Sequence, residues 1–156
     1  MKVFGVLLGV GLFGLIVWLR IPSEEDLIVA RLRDFTDTVS FEANIDPSAT
    51  LSRQTQILDY FAKDAELNLG VPPRIVRGRC ALATFLEQIS LGEESTVNFV
   101  DAAVSFDRRL LIATGRLEVS IEVNQKNYGT RVFDVALRQI DGNWLLTDLR
   151  AVMPVE

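Results

Sequence analysis

The sequence predicts an α+β fold behind an N-terminal transmembrane helix, with three helices packed on a curved antiparallel sheet. Three observations lead to this prediction. An uncharged apolar run extends from Val3 to Leu19. Apolar residues then recur at helical spacing in three segments, and from Thr96 onward their period changes from 3.6 residues to two. In a chain of 156 residues this pattern predicts an anchor at 1–20 and one domain at 21–156.

The apolar run is close to the minimum length that crosses a hydrocarbon core of ~30 Å. Trp18, near its end, fits the aromatic belt of a membrane interface. Residues 18–22 are bulky and end in proline, which favours an uncleaved anchor over a signal peptide; a buried helix is the other alternative. Four glycines give the run a small-residue face suited to helix–helix packing: Gly5, Gly9, Gly11 and Gly14.

Three amphipathic helices are expected next. Ser23 can cap the first of them, and the acidic residues 24–26 suit the positive end of its dipole. Its apolar stripe continues to about Phe41, and further helices are predicted from 51 to 62 and from 78 to 90. A short strand is expected between these two helices, at 65–69.

Four strands follow, at 97–106, 110–123, 128–139 and 143–153. The tight turns between them, Asp141-Gly142 above all, predict an antiparallel meander. One face of these strands is polar, so we expect that face to meet water and the helices to cover the other.

Composition excludes several classes of function. The net charge is −5, and it becomes −7 for the domain because Lys2 and Arg20 are the charged residues of the anchor. Such a domain repels nucleic-acid phosphates and does not favour lying flat on anionic lipid. Histidine is absent, which removes the usual triad base and zinc ligand. Cys80, alone among apolar neighbours, is expected to pack as a small hydrophobe. We therefore expect no metal, cofactor or nucleic-acid partner.

Three segments occur in a recognisable order: Ile57–Ala65, where the second helix meets its strand, Gly78 at the start of the third helix, and the hairpin Arg138–Leu146. Together with the four-stranded meander, this order resembles the cone-shaped fold of the nuclear transport factor 2-like superfamily over residues 23–153. That superfamily includes SnoaL-like and ketosteroid isomerase-like proteins. Its members are enzymes, transport adaptors and membrane-anchored secretion subunits, so the resemblance implies a fold and leaves the function open.

The resemblance also implies a site inside the apolar cone. The candidates for its lining are Phe35, Phe61, Phe85, Phe133, Trp144 and Arg150. If Trp144 and Leu146 point inward, a period of two places Asp148 and Arg150 on the same face. A buried Asp148 would have a raised pKa and could act as a general base; the alternative is a solvated rim pair with Arg150. Tyr60 either donates a hydrogen bond into the cone or only packs against it.

Two functions follow as hypotheses. The favoured one is a non-catalytic interaction or accessory subunit of a membrane protein complex, anchored in the bacterial inner membrane with its domain on the extracytoplasmic side. Residues 3–19 would contact the bilayer, the glycine face would contact membrane-embedded partners, and a homodimer is left open. The alternative is a small-molecule binder, or an isomerase- or hydratase-like enzyme, that uses the cone. An open cone with a polar base favours the alternative, and a filled cone excludes it.

Overall fold

The structure is a computed structural model, and it describes residues 22–40, 46–70, 74–89 and 94–152. Three helices and six strands lie within these residues. The helices are α1 (Glu24–Thr38), α2 (Pro47–Leu58) and α3 (Arg79–Ile89). The strands are β1 (Phe61–Asn68), β2 (Ile75–Arg77), β3 (Ser95–Asp107), β4 (Ile112–Val123), β5 (Lys126–Ile140) and β6 (Asn143–Ala151).

Helix α1 begins with a capping box, which confirms the predicted role of Ser23. The Asp26 N–H donates to Ser23 Oγ over 3.1 Å, and the Ser23 N–H donates to Asp26 Oδ2 over 3.0 Å. These bonds satisfy two donors that a helix start leaves unpaired. Every third or fourth residue then faces the core, where Ile28, Leu32 and Phe35 are buried. The predicted apolar stripe is therefore confirmed from Ile28 to Phe35; the helix itself ends at Thr38, and Phe41, the predicted end of the stripe, lies outside the described residues.

The six strands form one sheet in the order β2-β1-β6-β5-β4-β3. Strands β3 to β6 are the predicted antiparallel meander. Strand β1, however, runs parallel to β6, with Leu67 opposite Leu149. The sheet is thus mixed, and the prediction of a wholly antiparallel sheet is wrong. A parallel pair joins strands that are distant in sequence, so local turn signals carry no information about it.

The region between α2 and α3 holds more strand than the sequence pattern predicts. Helix α2 ends at Leu58, before the expected end at 62, and β1 begins at Phe61. Strand β2 lies where the sequence suggests only a loop, and its Val76 pairs with Leu67 of β1. Arg74 and Arg77 flank the short apolar pair Ile75-Val76, so a search for apolar alternation misses this strand.

A β-bulge divides β6 into two halves. Leu146 lies opposite Leu137 of β5, and Asp148 lies opposite Ala136, so Thr147 is an extra residue. Two residues of one strand then oppose one of the other, and the alternation of faces shifts by one. As a result the buried residues are the even-numbered Trp144 and Leu146 on the N-terminal side of the bulge and the odd-numbered Leu149 on its C-terminal side.

One end of the cone is filled by side chains, and we call it the packed end. Ile28, Ala113, Trp144 and Leu146 are all buried there, and the Phe106 ring meets Trp144 edge-on with centroids 5.3 Å apart. Strands β3 and β4 approach each other closely beside this end. At Gly115 of β4 a Cβ would overlap the carbonyl oxygen of Ala103 in β3, so only glycine lets the two backbones approach this closely.

The described residues contain no helix long and apolar enough to cross a membrane. The predicted anchor, residues 1–20, and its packing glycines Gly5, Gly9, Gly11 and Gly14 lie outside those residues. The anchor and the proposed boundary at residue 20 therefore remain predictions.

Candidate ligand-binding cavity

A cavity of about 290 Å³ lies between the helices and the inner face of the sheet. Helix α1 extends from the packed end to the cavity. Its first turn is at the packed end, where Glu24 bonds to Trp144, and its last turns border the cavity. The helices and the residue after β1 contribute Phe35, Thr36, Val39, Ile57, Leu82, Phe85, Leu86 and Leu69. The strands contribute Phe61, Leu67, Ser95, Val97, Leu117, Val119, Ile121, Phe133 and Leu149.

The cavity wall is almost entirely apolar. Among the described lining residues, only Thr36 and Ser95 carry a polar side-chain atom, and none is ionisable. The Thr36 hydroxyl donates to the carbonyl oxygen of Arg33, one turn back in the same helix, over 2.7 Å. This bond satisfies the hydroxyl within α1, so its proton does not point at a ligand.

Two phenylalanines fix the wall where α1 faces β1. The Phe35 and Phe61 rings meet nearly at right angles, 85°, with centroids 5.4 Å apart. Edge-to-face contact is a favoured geometry for aromatic pairs. Phe35 is 6% exposed and Phe61 3%, so both rings are held firmly within the core.

The structure separates the six predicted lining residues into two groups. Phe35, Phe61, Phe85 and Phe133 line the cavity. Trp144 instead belongs to the packed end, and Arg150 lies on the outer face of the sheet, where its side chain is 56% exposed.

Asp148 also lies on the outer face, which corrects the expectation that it follows Trp144 into the cone. The bulge at Thr147 is the physical reason, because it reverses the alternation between Leu146 and Asp148. Arg150 Nη2 lies 3.5 Å from Asp148 Oδ2, and the side chains are 56% and 35% exposed. The pair thus matches the solvated alternative. Asp148 is not among the residues that line the cavity; it borders a separate depression on the outer face, so it is not placed to act as a base in the cavity.

Tyr60 lies behind the cavity wall and does not line it. Its ring packs against Phe35 with centroids 5.5 Å apart, and the Arg31 guanidinium stacks 4.0 Å above the ring centroid. Its hydroxyl lies 3.3 Å from Thr38 Oγ1. Tyr60 therefore joins β1 to α1 by packing, the second of the two roles considered for it.

The sequence pattern predicts several of the lining residues but not Leu149. The alternation of β4 predicts that Leu117, Val119 and Ile121 share a face, and all three line the cavity. Leu149 also lines it, but strict alternation from Trp144 assigns it to the outer face. No local sequence signal marks the bulge that moves it inward.

Nothing in the described part of the chain gathers three or more residues that could hold a metal ion. Cys80 is exposed at the start of α3, so the expectation that it packs as a buried hydrophobe is wrong. In the first turn of α3 the core-facing position is taken by Leu82, which is 1% exposed.

No protein-family model matches the sequence, and no curated protein matches it. Solved structures do match. A protein of unknown function with a cystatin-like fold from Nostoc punctiforme superposes with a TM-score of 0.60 at 17% identity, covering 83% of this chain and 91% of its own. A candidate scytalone dehydratase from Novosphingobium aromaticivorans gives 0.59 at 16% identity, covering 80% of each chain. Aln2 from a Streptomyces species gives 0.60 at 14% identity, covering 85% and 93%.

These superpositions establish the architecture. The domain has the nuclear transport factor 2-like cone, three helices on a curved sheet, as the sequence resemblance implies. At these identities the likeness concerns the fold alone, and one fold of this kind hosts many functions.

Proposed function

We propose that this domain is a non-catalytic binding module that holds an apolar small molecule in its cone. The observation that carries the proposal is the cavity of about 290 Å³ whose described lining has no ionisable side chain. Burial of apolar surface is then the dominant source of affinity.

The cavity volume limits the size of the ligand. An apolar protein cavity of ~150 Å³ accepts one benzene molecule, so a cavity of this size suits roughly 12 non-hydrogen atoms. A two-ring aromatic or a medium-length hydrocarbon chain has this size. Two lining hydroxyls, those of Thr36 and Ser95, offer little to a polar ligand.

The absence of ionisable side chains from the described cavity lining also favours ligand binding over catalysis. Isomerisation and dehydration both need a group that moves a proton at the substrate. Asp148 and Tyr60, the two residues considered for such a role, lie outside the cavity lining. We therefore do not propose for this chain the dehydratase activity that the name of the Novosphingobium aromaticivorans protein suggests.

We further propose that the domain is held at a membrane by residues 3–19, as an accessory subunit on the extracytoplasmic side of a bacterial inner membrane. The length and apolarity of that run support this location. Only Arg20 and Ile21 separate the run from Pro22, so the linker is too short to let the domain move far from the bilayer. The glycine face of the run would meet membrane-embedded partners.

Methyl NMR of the detergent-solubilised full chain, titrated with naphthalene, tests the binding proposal. We expect saturable shifts of the Leu117 and Leu149 methyl signals, because both side chains line the cavity. Val119→Phe fills the cavity and should abolish these shifts. Val100→Phe is the matched control, since Val100 lies on the neighbouring strand and is 49% exposed. Shifts that never saturate, or that survive Val119→Phe unchanged, would overturn the proposal.

A further inference from the structure

The turn between β3 and β4 exposes an unusual combination of residues. Arg108, Arg109, Leu110 and Leu111 are all exposed, and we call these four residues the hairpin tip. Leu110 is 65% exposed and Leu111 42%. Two adjacent leucines in water, preceded by two arginines, are a pattern suited to an interface between apolar and charged surroundings.

The hairpin tip is held in a defined shape. Asp107 Oδ1 accepts hydrogen bonds from the N–H groups of Arg109 and Leu110, over 2.8 and 3.2 Å. Leu111 has φ 54°, a left-handed conformation that is costly for a leucine and free for a glycine. Its carbonyl oxygen accepts from the Gln139 N–H over 2.9 Å, which fixes it to β5. An apolar side chain is thus presented where glycine would fit the backbone better.

The hairpin tip lies at the end of the domain where α1 begins. Phe106, two residues before the hairpin tip, contacts Trp144, and Trp144 Nε1 donates to Glu24 in the first turn of α1. Four residues separate the end of the apolar run at Leu19 from Glu24, the first residue of α1, and the start of this helix shares the packed end with the hairpin tip.

We propose that the hairpin tip is a second membrane contact, with Leu110 and Leu111 inserted among lipid headgroups and the two arginines bound to lipid phosphates. This rests on the proposed membrane location, because the short linker holds this end of the domain against the bilayer. Guanidinium groups pair with phosphate through two parallel hydrogen bonds, and leucine side chains gain from leaving water at the interface. A depression of about 680 Å³, lined in part by Arg108 and Arg109, gives a headgroup room beside the tip.

Several acidic residues lie at this end of the domain: Asp107 before the tip, Glu24, Glu25 and Asp26 in the first turn of α1, and Asp141 in the turn after β5. The Asp107 carboxylate bonds to the turn backbone, and the Glu24 carboxylate accepts from the Trp144 indole. The acidic character of the whole domain argues against lying flat on anionic lipid. A contact limited to one end, beside the anchor, avoids bringing the rest of the charged surface to the membrane.

The test places an environment-sensitive fluorophore at the hairpin tip of the full chain. A Leu110→Cys variant in a Cys80→Ser background is labelled with nitrobenzoxadiazole and reconstituted into vesicles of phosphatidylethanolamine and phosphatidylglycerol, with or without doxyl-labelled lipid. Tyr128→Cys is the matched control, because Tyr128 is also exposed, at 49%, but lies roughly 36 Å along β5 from Gln139 at the rise of an extended strand.

We expect the label at position 110 to shift to the blue and to lose most of its fluorescence to doxyl lipid, while the label at position 128 is unaffected. Protein that floats with the vesicles but shows equal, weak quenching at both positions would overturn this inference and leave the anchor intact. Protein that does not float with the vesicles would refute the membrane location itself, and the inference with it. Circular dichroism of both labelled variants checks that they are folded.

Discussion

Trp144 Nε1 donates a hydrogen bond to Glu24 Oε2 over 3.3 Å, joining the last strand to the first turn of α1. The two residues are 120 positions apart in sequence. The indole is 6% exposed and also contacts Phe106 edge-on, so one side chain ties α1, β3 and β6 together at the packed end. The stability of that end is therefore open to direct measurement.

Trp144→Phe should lower the free energy of unfolding by about 2 kcal/mol, because it removes a partly buried hydrogen bond and leaves a gap beside Phe106. Glu24→Ala removes the acceptor alone. Urea unfolding of the two single variants and the double variant should give a coupling energy of about 1 kcal/mol. Strictly additive losses would mean that the bond contributes nothing to stability.

Gly115→Ala should be among the most damaging single substitutions in the domain. The added Cβ would overlap the Ala103 carbonyl oxygen and lie 2.8 Å from Val104 Cα, so the two strands would have to separate. We expect a loss of about 3 kcal/mol or more, or failure to fold. Gly129→Ala is the control: it adds strain at φ 78° but meets nothing within 4 Å, and should cost about 1 kcal/mol. Similar unfolding midpoints for the two variants would contradict this account.

The capping box predicts a specific dependence of stability on pH. Hydrogen bonds from the hydroxyl and the N–H of Ser23 hold the pKa of Asp26 below its ordinary value. A lowered pKa in the folded state means that the carboxylate stabilises the fold at pH values above about 4, the unfolded value, and that this contribution is lost as the pH falls through the folded pKa. Asp26→Asn should therefore be less stable than the wild type at neutral pH, with the difference narrowing in acid. A difference that is constant with pH in urea unfolding would exclude this explanation.

Asp148→Asn should leave ligand binding in the cavity unchanged, because its side chain is on the outer face beside Arg150. The same holds for Tyr60→Phe, which removes only the hydroxyl near Thr38. Naphthalene titration followed by methyl NMR gives the comparison with the wild type. A clear loss of affinity in Asp148→Asn would place this carboxylate in the site and favour the enzyme hypothesis.

The parts of the fold that depend on local pattern were predictable from sequence. The Ser23 cap, the stripe on α1 and the alternation of β4 each follow from a few neighbouring residues. The Asp141-Gly142 turn likewise determines the last hairpin, where Asp141 has φ 50° and Gly142 φ 80°.

The remaining parts depend on contacts between distant segments. The parallel pairing of β1 with β6 and the short strand β2 form only when the sheet assembles. The same is true of the cavity, since its apolar lining looks like ordinary core in the sequence. Phenylalanines 35, 61, 85 and 133 could be selected as interior residues, but only the packing shows that they surround a space and that Trp144 does not.

The bulge at Thr147 also restricts how the length of the chain can vary. Removal of Thr147 alone would keep Leu146 and Leu149 facing the interior and Asp148 facing solvent, because Thr147 is the unpaired residue. Gain or loss of a residue elsewhere in β6 would exchange the two faces of the strand and bring charged groups into the cavity. Homologous chains that keep an apolar interior should therefore differ in length at this position of the strand and not at its neighbours.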